Sequence, residues 1–167
     1  MSSRKTIGIT GAGGALGRAL TKKFRKDGYK IIGFTHNKKN HQLNKESPNK
    51  WVYWECGKEI SIKKHLKNLD ILILNHGIYE SSNENSSYEN AIEINALSKF
   101  KILNLFEEIT LNNKNEFPIK EIWINTSEAE LLPALSSSYE VSKLLIGQLV
   151  TFKKNFLSKK ESQKFII

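Results

Sequence analysis

The sequence predicts an α/β chain folded as a three-layer, doubly wound parallel sheet. Three observations predict it. Short apolar runs alternate with amphipathic segments along the whole chain, the pattern of a parallel sheet with helices on both faces. The run Asp70-Ile71-Leu72-Ile73-Leu74 has no polar alternation after its first residue, as a strand covered on both sides requires. A glycine-rich turn, Gly11-Ala12-Gly13-Gly14-Ala15-Leu16-Gly17, joins the first apolar run to the first amphipathic segment.

The elements follow in order. Thr6 to Thr10 is a short buried strand, and after the glycine turn Arg18 to Asp27 is helical through Leu20 and Phe24, with Gly28 to end it. Lys30 to Thr35 is a second strand. A polar stretch, His36 to Lys50, leads to a third strand at Trp51 to Glu55, and Ile60 to Leu69 has helical periodicity. Asp70 to Leu74 is the fourth strand. A loop from Ile78 to Ser87 precedes a long helix, Tyr88 to Leu111. Glu121 to Asn125 is the fifth strand. Ser136 to Phe156 is a second long helix, started by serine hydroxyls that can satisfy free backbone N–H groups. Lys164 to Ile167 opens a sixth strand. Because an apolar strand makes a poor terminus, the chain is expected to be truncated just after that strand begins.

At 167 residues the chain is expected to form a single domain spanning 1–167. It carries a net charge of +9, but the positive residues are nearly all scattered lysines, so a solvated surface is expected rather than a nucleic-acid site. No apolar run is long enough to span a membrane and no signal-peptide core follows Met1, so a cytoplasmic protein is expected. A single cysteine, Cys56, excludes an internal disulfide, and no histidine spacing suggests a metal.

The glycine turn lies between strand and helix, the context in which such a turn binds a dinucleotide. Gly11 suits the tight turn, small residues let backbone approach a pyrophosphate, Gly17 lets the helix pack on the sheet, and the helix N-terminus attracts phosphate. Asn75-His76-Gly77 ends strand four, where open α/β sheets bind ligands. His76 is expected to be a packed or surface histidine rather than a catalytic one. Asn95, inside the long helix, needs a partner if buried. Asn125-Thr126-Ser127 ends strand five, twelve residues before Tyr139, and offers two hydroxyls, Ser127 and alternatively Thr126. Tyr139 and Lys143 stand four apart on one helix face. A cation beside a phenol favours its ionised form, which suits a general acid/base for carbonyl–alcohol chemistry.

Together these residues resemble the short-chain dehydrogenase/reductase family over essentially the whole chain. The segment from Thr10 to Gly17 is similar to its Thr-Gly-x-x-x-Gly-x-Gly motif, with Ala15 at the middle glycine. Asn75-His76-Gly77 resembles the end of Asn-Asn-Ala-Gly, with Leu74 and His76 as departures. Asn95, Ser127, Tyr139 and Lys143 match the Asn-Ser-Tyr-Lys set, with a Ser–Tyr gap one residue shorter than usual. Glu55 matches a carboxylate that contacts adenine. The run from Asn125 to Glu130 and that from Tyr139 to Lys143 resemble a branch often described as the reductase half of sterol desaturase fusions, although nothing here supports a sterol substrate.

The resemblance implies a Rossmann-type NAD(P)-binding domain and a dehydrogenase mechanism. It implies that Tyr139 exchanges a proton with a carbonyl or alcohol oxygen held by Ser127. It implies that Lys143 binds the nicotinamide ribose and favours the Tyr139 phenolate, that Asn95 holds a relay water, and that hydride moves between nicotinamide and substrate carbon. The expected cofactor contacts are Thr10, Gly11, Gly13, Gly14, Ala15, Leu16, Gly17, Thr35, His36, Asn37, Lys38, Glu55, Asn75, His76, Gly77, Tyr139 and Lys143. The end of strand two, Phe34 to Lys39, has no carboxylate to hold a ribose 2′-hydroxyl, and Thr35, His36 and Lys38 suit a 2′-phosphate, so NADP(H) is favoured over NAD(H). The expected partner is a small carbonyl or alcohol substrate, with no nucleic acid, and a homodimer through the two long helices is expected by analogy. The competing expectation is a non-catalytic dinucleotide-binding module, or a reductase inactive without the segment that would cover its substrate.

Overall fold

The structure is a computed structural model that describes residues 4–37, 44, 46–80, 84–112, 119–157 and 165–167. Its centre is a six-stranded sheet in the order β3-β2-β1-β4-β5-β6. The strands are β1 (Thr6–Thr10), β2 (Lys30–Thr35), β3 (Lys50–Tyr53), β4 (Ile71–Leu74), β5 (Lys120–Ile124) and β6 (Phe165–Ile166), and every pairing is parallel. The order reverses between β1 and β4, so their C-terminal ends diverge into a crevice where such sheets bind ligands.

The core explains the strand sequences. All four residues of β4 are buried, since β4 lies at the middle of the sheet with neighbours on both sides. One face packs Phe34, Leu72, Leu74, Leu103, Phe106 and Ile122 into a single cluster. The other packs Ile7, Ile9, Ile31 and Ile73 beneath the helix α1 (Ala15–Lys26). Each such side chain contributes about 1.5–3 kcal/mol on leaving water.

The helices depart from expectation in three places. The first, α1, begins at Ala15 rather than Arg18, so the end of the glycine-rich segment is helical. The segment predicted as a helix over Ile60–Leu69 is a 3-10 turn, Glu59–Ile62, followed by the one-turn α2, Lys63–Leu66. Glu59 is responsible in part: its carboxylate accepts the Gly57 N–H (2.7 Å) and the Ser98 hydroxyl (2.7 Å), which pins the start of the segment. The long helix runs from Asn85 rather than Tyr88 and is interrupted. It divides into α3 (Asn85–Ile92), a π turn (Glu93–Leu97) and α4 (Ser98–Leu111). A π turn widens the helix by one residue and is often placed at a functional site. Here it carries Asn95, the residue whose helix-interior position was the anomaly in the sequence.

The second long helix, α5 (Ser137–Phe156), begins as expected, with the Ser136 hydroxyl accepting the Tyr139 N–H. It packs against α3 and the π turn, which brings the Tyr139 end of α5 over the crevice. No helix among the described residues is long and apolar enough to cross a membrane.

Candidate active site

A cleft of about 750 Å³ runs along the C-terminal edge of the sheet. At one end stand Gly11, Gly14, Ala15 and Leu16 of the glycine turn with Thr35 and His36 from the end of β2. At the other stand Asn125, Thr126, Tyr139 and Lys143. Trp54, Glu55, Cys56, Asn75, His76 and Gly77 form the wall between them. One surface therefore joins residues from six separate stretches of chain.

The glycine end is shaped by backbone. Gly11 has φ of +64°, a conformation that favours glycine, and a Cβ there would lie 2.8 Å from the His76 Cα. Gly17 sits against the Gly11 carbonyl, and a Cβ would lie 2.7 Å from the Ala12 Cα. Close approach of α1 to the turn leaves the first turn of the helix free to face the cleft, with Gly14 as its extended N-cap and no side chain capping it. Free N–H groups of this kind suit an anion. The Thr10 hydroxyl fastens the turn to β4 by accepting the N–H groups of Asn75 (2.9 Å) and His76 (3.3 Å).

A second cavity of about 780 Å³ lies on the far side of the turn and contains Gly13, Arg18, Lys22, Thr35, His36 and Asn37. Arg18 donates to the Gly13 carbonyl (2.8 Å), and Lys22 pairs with Glu46 (2.7 Å). Thr35 and His36 line both cavities. Lys38 lies outside the described residues.

The catalytic end is built from buried side chains. Asn95 is fully buried. Its Nδ2 donates to the Ile78 carbonyl (2.9 Å) and the Ser142 hydroxyl (3.0 Å), while its Oδ1 accepts the Ile78 N–H (2.8 Å). Both amide hydrogens are thus committed to protein acceptors, and the side chain clamps the loop after Gly77 to α5. Tyr139 packs edge-tilted on Tyr79, with ring centres 5.4 Å apart, and the Lys143 ammonium lies 5.2 Å from the Tyr139 ring centre. The two are side by side, as their spacing predicts.

The two hydroxyls after β5 differ. Thr126 is exposed and lines the cleft. Ser127 does not line it; its Oγ accepts the Ala129 N–H (3.3 Å) and starts a 3-10 turn, Glu128–Glu130. The alternative hydroxyl is therefore the one that faces the cleft, thirteen residues before Tyr139.

His76 is buried as a packed residue. Its Nδ1 meets the Thr10 hydroxyl (2.8 Å) and its ring stands edge-on to Trp54, with centres 4.9 Å apart. Burial, and then the charges of Lys99 and Lys143, hold its pKa well below the usual histidine value, so the ring is neutral. Burial also pushes the Cys56 thiol up.

Lys99, which no sequence motif marks, is fully buried just behind the cleft. Its Nζ donates to the Asn125 carbonyl (3.0 Å). In sequence its only signal is its position one helical turn after Asn95, hidden among many other lysines. Cys56, Ile78, Tyr79 and Ile94 also line the cleft without a local motif to mark them.

The model of a family described as "NAD dependent epimerase/dehydratase family" matches residues 7–152. A curated relative from Synechocystis sp., "Monoglucosyldiacylglycerol epimerase", is 34% identical over 154 residues. The match takes in 90% of this chain but 37% of the relative, so the chain spans little more than a third of that protein. Among solved structures, serine dehydrogenase from Escherichia coli aligns with a TM-score of 0.79 at 18% identity, covering 92% of this chain and 76% of that one. A short chain dehydrogenase from Burkholderia cenocepacia J2315, in complex with NADP, aligns at 0.80 and 14%, covering 98% and 70%. One from Leptospira borgpetersenii, with bound NAD+, aligns at 0.76 and 15%, covering 98% and 68%. At these identities the structural likeness shows a shared fold, the Rossmann-like α/β fold of short-chain dehydrogenase/reductases.

Proposed function

Because this chain belongs to the NAD dependent epimerase/dehydratase family, we propose that it binds a nicotinamide dinucleotide along the cleft and supports hydride chemistry on a carbonyl or alcohol substrate. The single observation that carries this reading is the cleft itself: the glycine turn and the Tyr139–Lys143 pair line one cavity. Gly11, Gly14, Ala15 and Leu16 would hold the pyrophosphate against the first turn of α1, and Glu55 and Trp54 would flank the adenosine half. Lys143 and Asn75 would hold the nicotinamide half. When bound, the nicotinamide supplies the site that gives or receives hydride.

The protein's own part is proton transfer and orientation. Tyr139 gives its phenolic proton to a carbonyl oxygen as that oxygen gains charge, or takes the proton from an alcohol in the reverse direction. Lys143 stands beside its ring. Thr126 is the hydroxyl best placed to hydrogen-bond the same oxygen, since it lines the cleft and Ser127 does not. Asn95 holds the Ile78 turn at the cleft, which bears on shape rather than on proton transfer.

For the cofactor, NADP(H) is the better fit. No carboxylate stands at the end of β2, and Arg18 of the adjoining cavity supplies positive charge where a 2′-phosphate would lie, Lys22 there being paired with Glu46.

A second reading follows from the Synechocystis relative. An epimerase uses the same proton transfer twice, so a sugar carbinol would be oxidised and then reduced on its other face with no net redox change. The relative's name makes a glucosyl lipid the substrate to try first.

The two readings separate in one assay. The protein is incubated with NADP+ and monoglucosyldiacylglycerol, reduced nicotinamide is followed by absorbance, and sugar stereochemistry by NMR. Accumulating NADPH indicates a dehydrogenase, and inverted sugar without NADPH an epimerase. Saturable NADPH binding supports the common core of both; failure of NADPH and NADH alike to bind would remove it.

A further inference from the structure

The Tyr139–Lys143 pair has an unassigned third member. We propose that Lys99 is a positioning residue for Lys143: its amine, anchored on the Asn125 carbonyl, accepts a hydrogen bond from Lys143, so that two buried lysines share one positive charge. This rests on the proposed dehydrogenase or epimerase reading for its consequence, but the lysine pair itself is a property of the fold.

Burial and contact place the two amines together. Lys99 is wholly buried and Lys143 is 6% exposed. The Lys99 Nζ donates to the Asn125 carbonyl, and Lys143 stands close enough for its charge to act on it. Asn125 in turn donates through Nδ2 to Asn75 Oδ1 (2.5 Å), and Asn75 lies against the Gly11 carbonyl (3.5 Å). A chain of polar contacts therefore runs from the glycine turn to Lys143, through Lys99.

Two ammonium groups cannot both be charged cheaply in so dry a place. Among the described residues Lys99 has no carboxylate partner. Several other ionisable groups on α4 and the elements packed against it are engaged elsewhere. Glu59 holds Gly57 and Ser98, Lys63 pairs with Glu108, and Lys153 pairs with Glu107. From β4's end His76 is a neutral ring. Burial first, then the Lys143 charge, lowers Lys99 to about 7. A neutral amine has a lone pair, which an N–H of the neighbouring Lys143 ammonium can meet. Asn95 cannot take this part, since both of its amide hydrogens go to Ile78 and Ser142.

The test is an NMR titration of protein carrying 13C- and 15N-labelled lysine, in the wild type, Lys99→Met and Lys143→Met, with NADPH binding by fluorescence measured in parallel. The expected result is one lysine that titrates near neutrality and vanishes in Lys99→Met. In Lys143→Met, loss of the like charge moves that midpoint up by about one pH unit or more. A purely structural Lys99 would not respond to Lys143. The proposal is overturned if every lysine titrates in the ordinary range, or if the neutral-range signal keeps its midpoint in Lys143→Met. Should Lys99→Met fail to fold, the wild-type and Lys143→Met titrations alone decide it. NADPH binding reports separately on the dinucleotide reading: a coupled pair in a protein that binds neither NADPH nor NADH supports the pair and sinks that reading.

Discussion

The two ends of the cleft are made in different ways. The glycine end is backbone: a tight turn, the free N–H groups of one helix, and small residues that keep their distance short. The lysine end is side chains drawn from α4, β5 and α5, buried together behind Tyr139. The first depends on shape over a few consecutive residues. The second depends on charges that the fold must bring together and dry out. A ligand spanning both would be held at one end by geometry and handled at the other by proton transfer.

This contrast decides what was legible. The glycine turn is local, so its strand–turn–helix context could be read directly, although α1 takes in Ala15 to Gly17. The strands along the chain and the Tyr139–Lys143 face were equally legible, because periodicity and spacing carry them, whereas the lateral order of the strands is seen only in the structure. The lysine pair was not, because Lys99 and Lys143 are far apart in sequence and a buried lysine looks like any other in a lysine-rich chain. Ser127 and Thr126 were both in view, but which hydroxyl faces the cleft depends on a 3-10 turn that takes Ser127 for its cap. The π turn at Asn95 was visible only as an awkward residue; the clamp on Ile78 that explains it is a tertiary contact.

The comparison can be broken at either end, beginning with the largest effect. Tyr139→Phe should lower turnover by about 10²–10⁴-fold while leaving NADPH affinity within a few-fold, since the hydroxyl serves proton transfer. Steady-state kinetics and a binding titration on the same protein check it, and unchanged turnover would remove Tyr139 from the chemistry. Gly17→Val should act in the opposite sense, weakening NADPH binding strongly and lowering stability, because the side chain meets the Gly11 carbonyl and Ala12. The stability cost is about 1–3 kcal/mol, as for other overpacked sites, and is read by urea unfolding.

Asn95→Ala should cost about 1–3 kcal/mol by leaving the Ile78 N–H and carbonyl without their partner. Denaturant unfolding measures that loss, and an unchanged midpoint would mean that the Ile78 clamp is dispensable. Ser136→Ala, which removes the cap on α5, should cost about 1 kcal/mol and leave cofactor affinity almost intact.

The pH dependence follows from Lys99. Its pKa is lowered to about 7 in the folded protein from the ordinary lysine value of 10.5, so between those values the unfolded chain binds more protons. Lys99 therefore makes stability rise with pH from about 7 towards 10.5, and its cost is fully present below that window. Melting temperatures measured across this range should climb in the wild type more steeply than in Lys99→Met. Parallel curves would place Lys99 in solvent contact.

The central claim is that one dinucleotide lies along the whole cleft, and Trp54 in its wall offers a direct view of it. The measurement is energy transfer from tryptophan to the reduced nicotinamide during an NADPH titration, for the wild type and Trp54→Phe. Saturable transfer is expected in the wild type, with a clear loss of it in Trp54→Phe while binding is retained. Saturable binding with no transfer from Trp54, or no binding of NADPH or NADH at all, would contradict it.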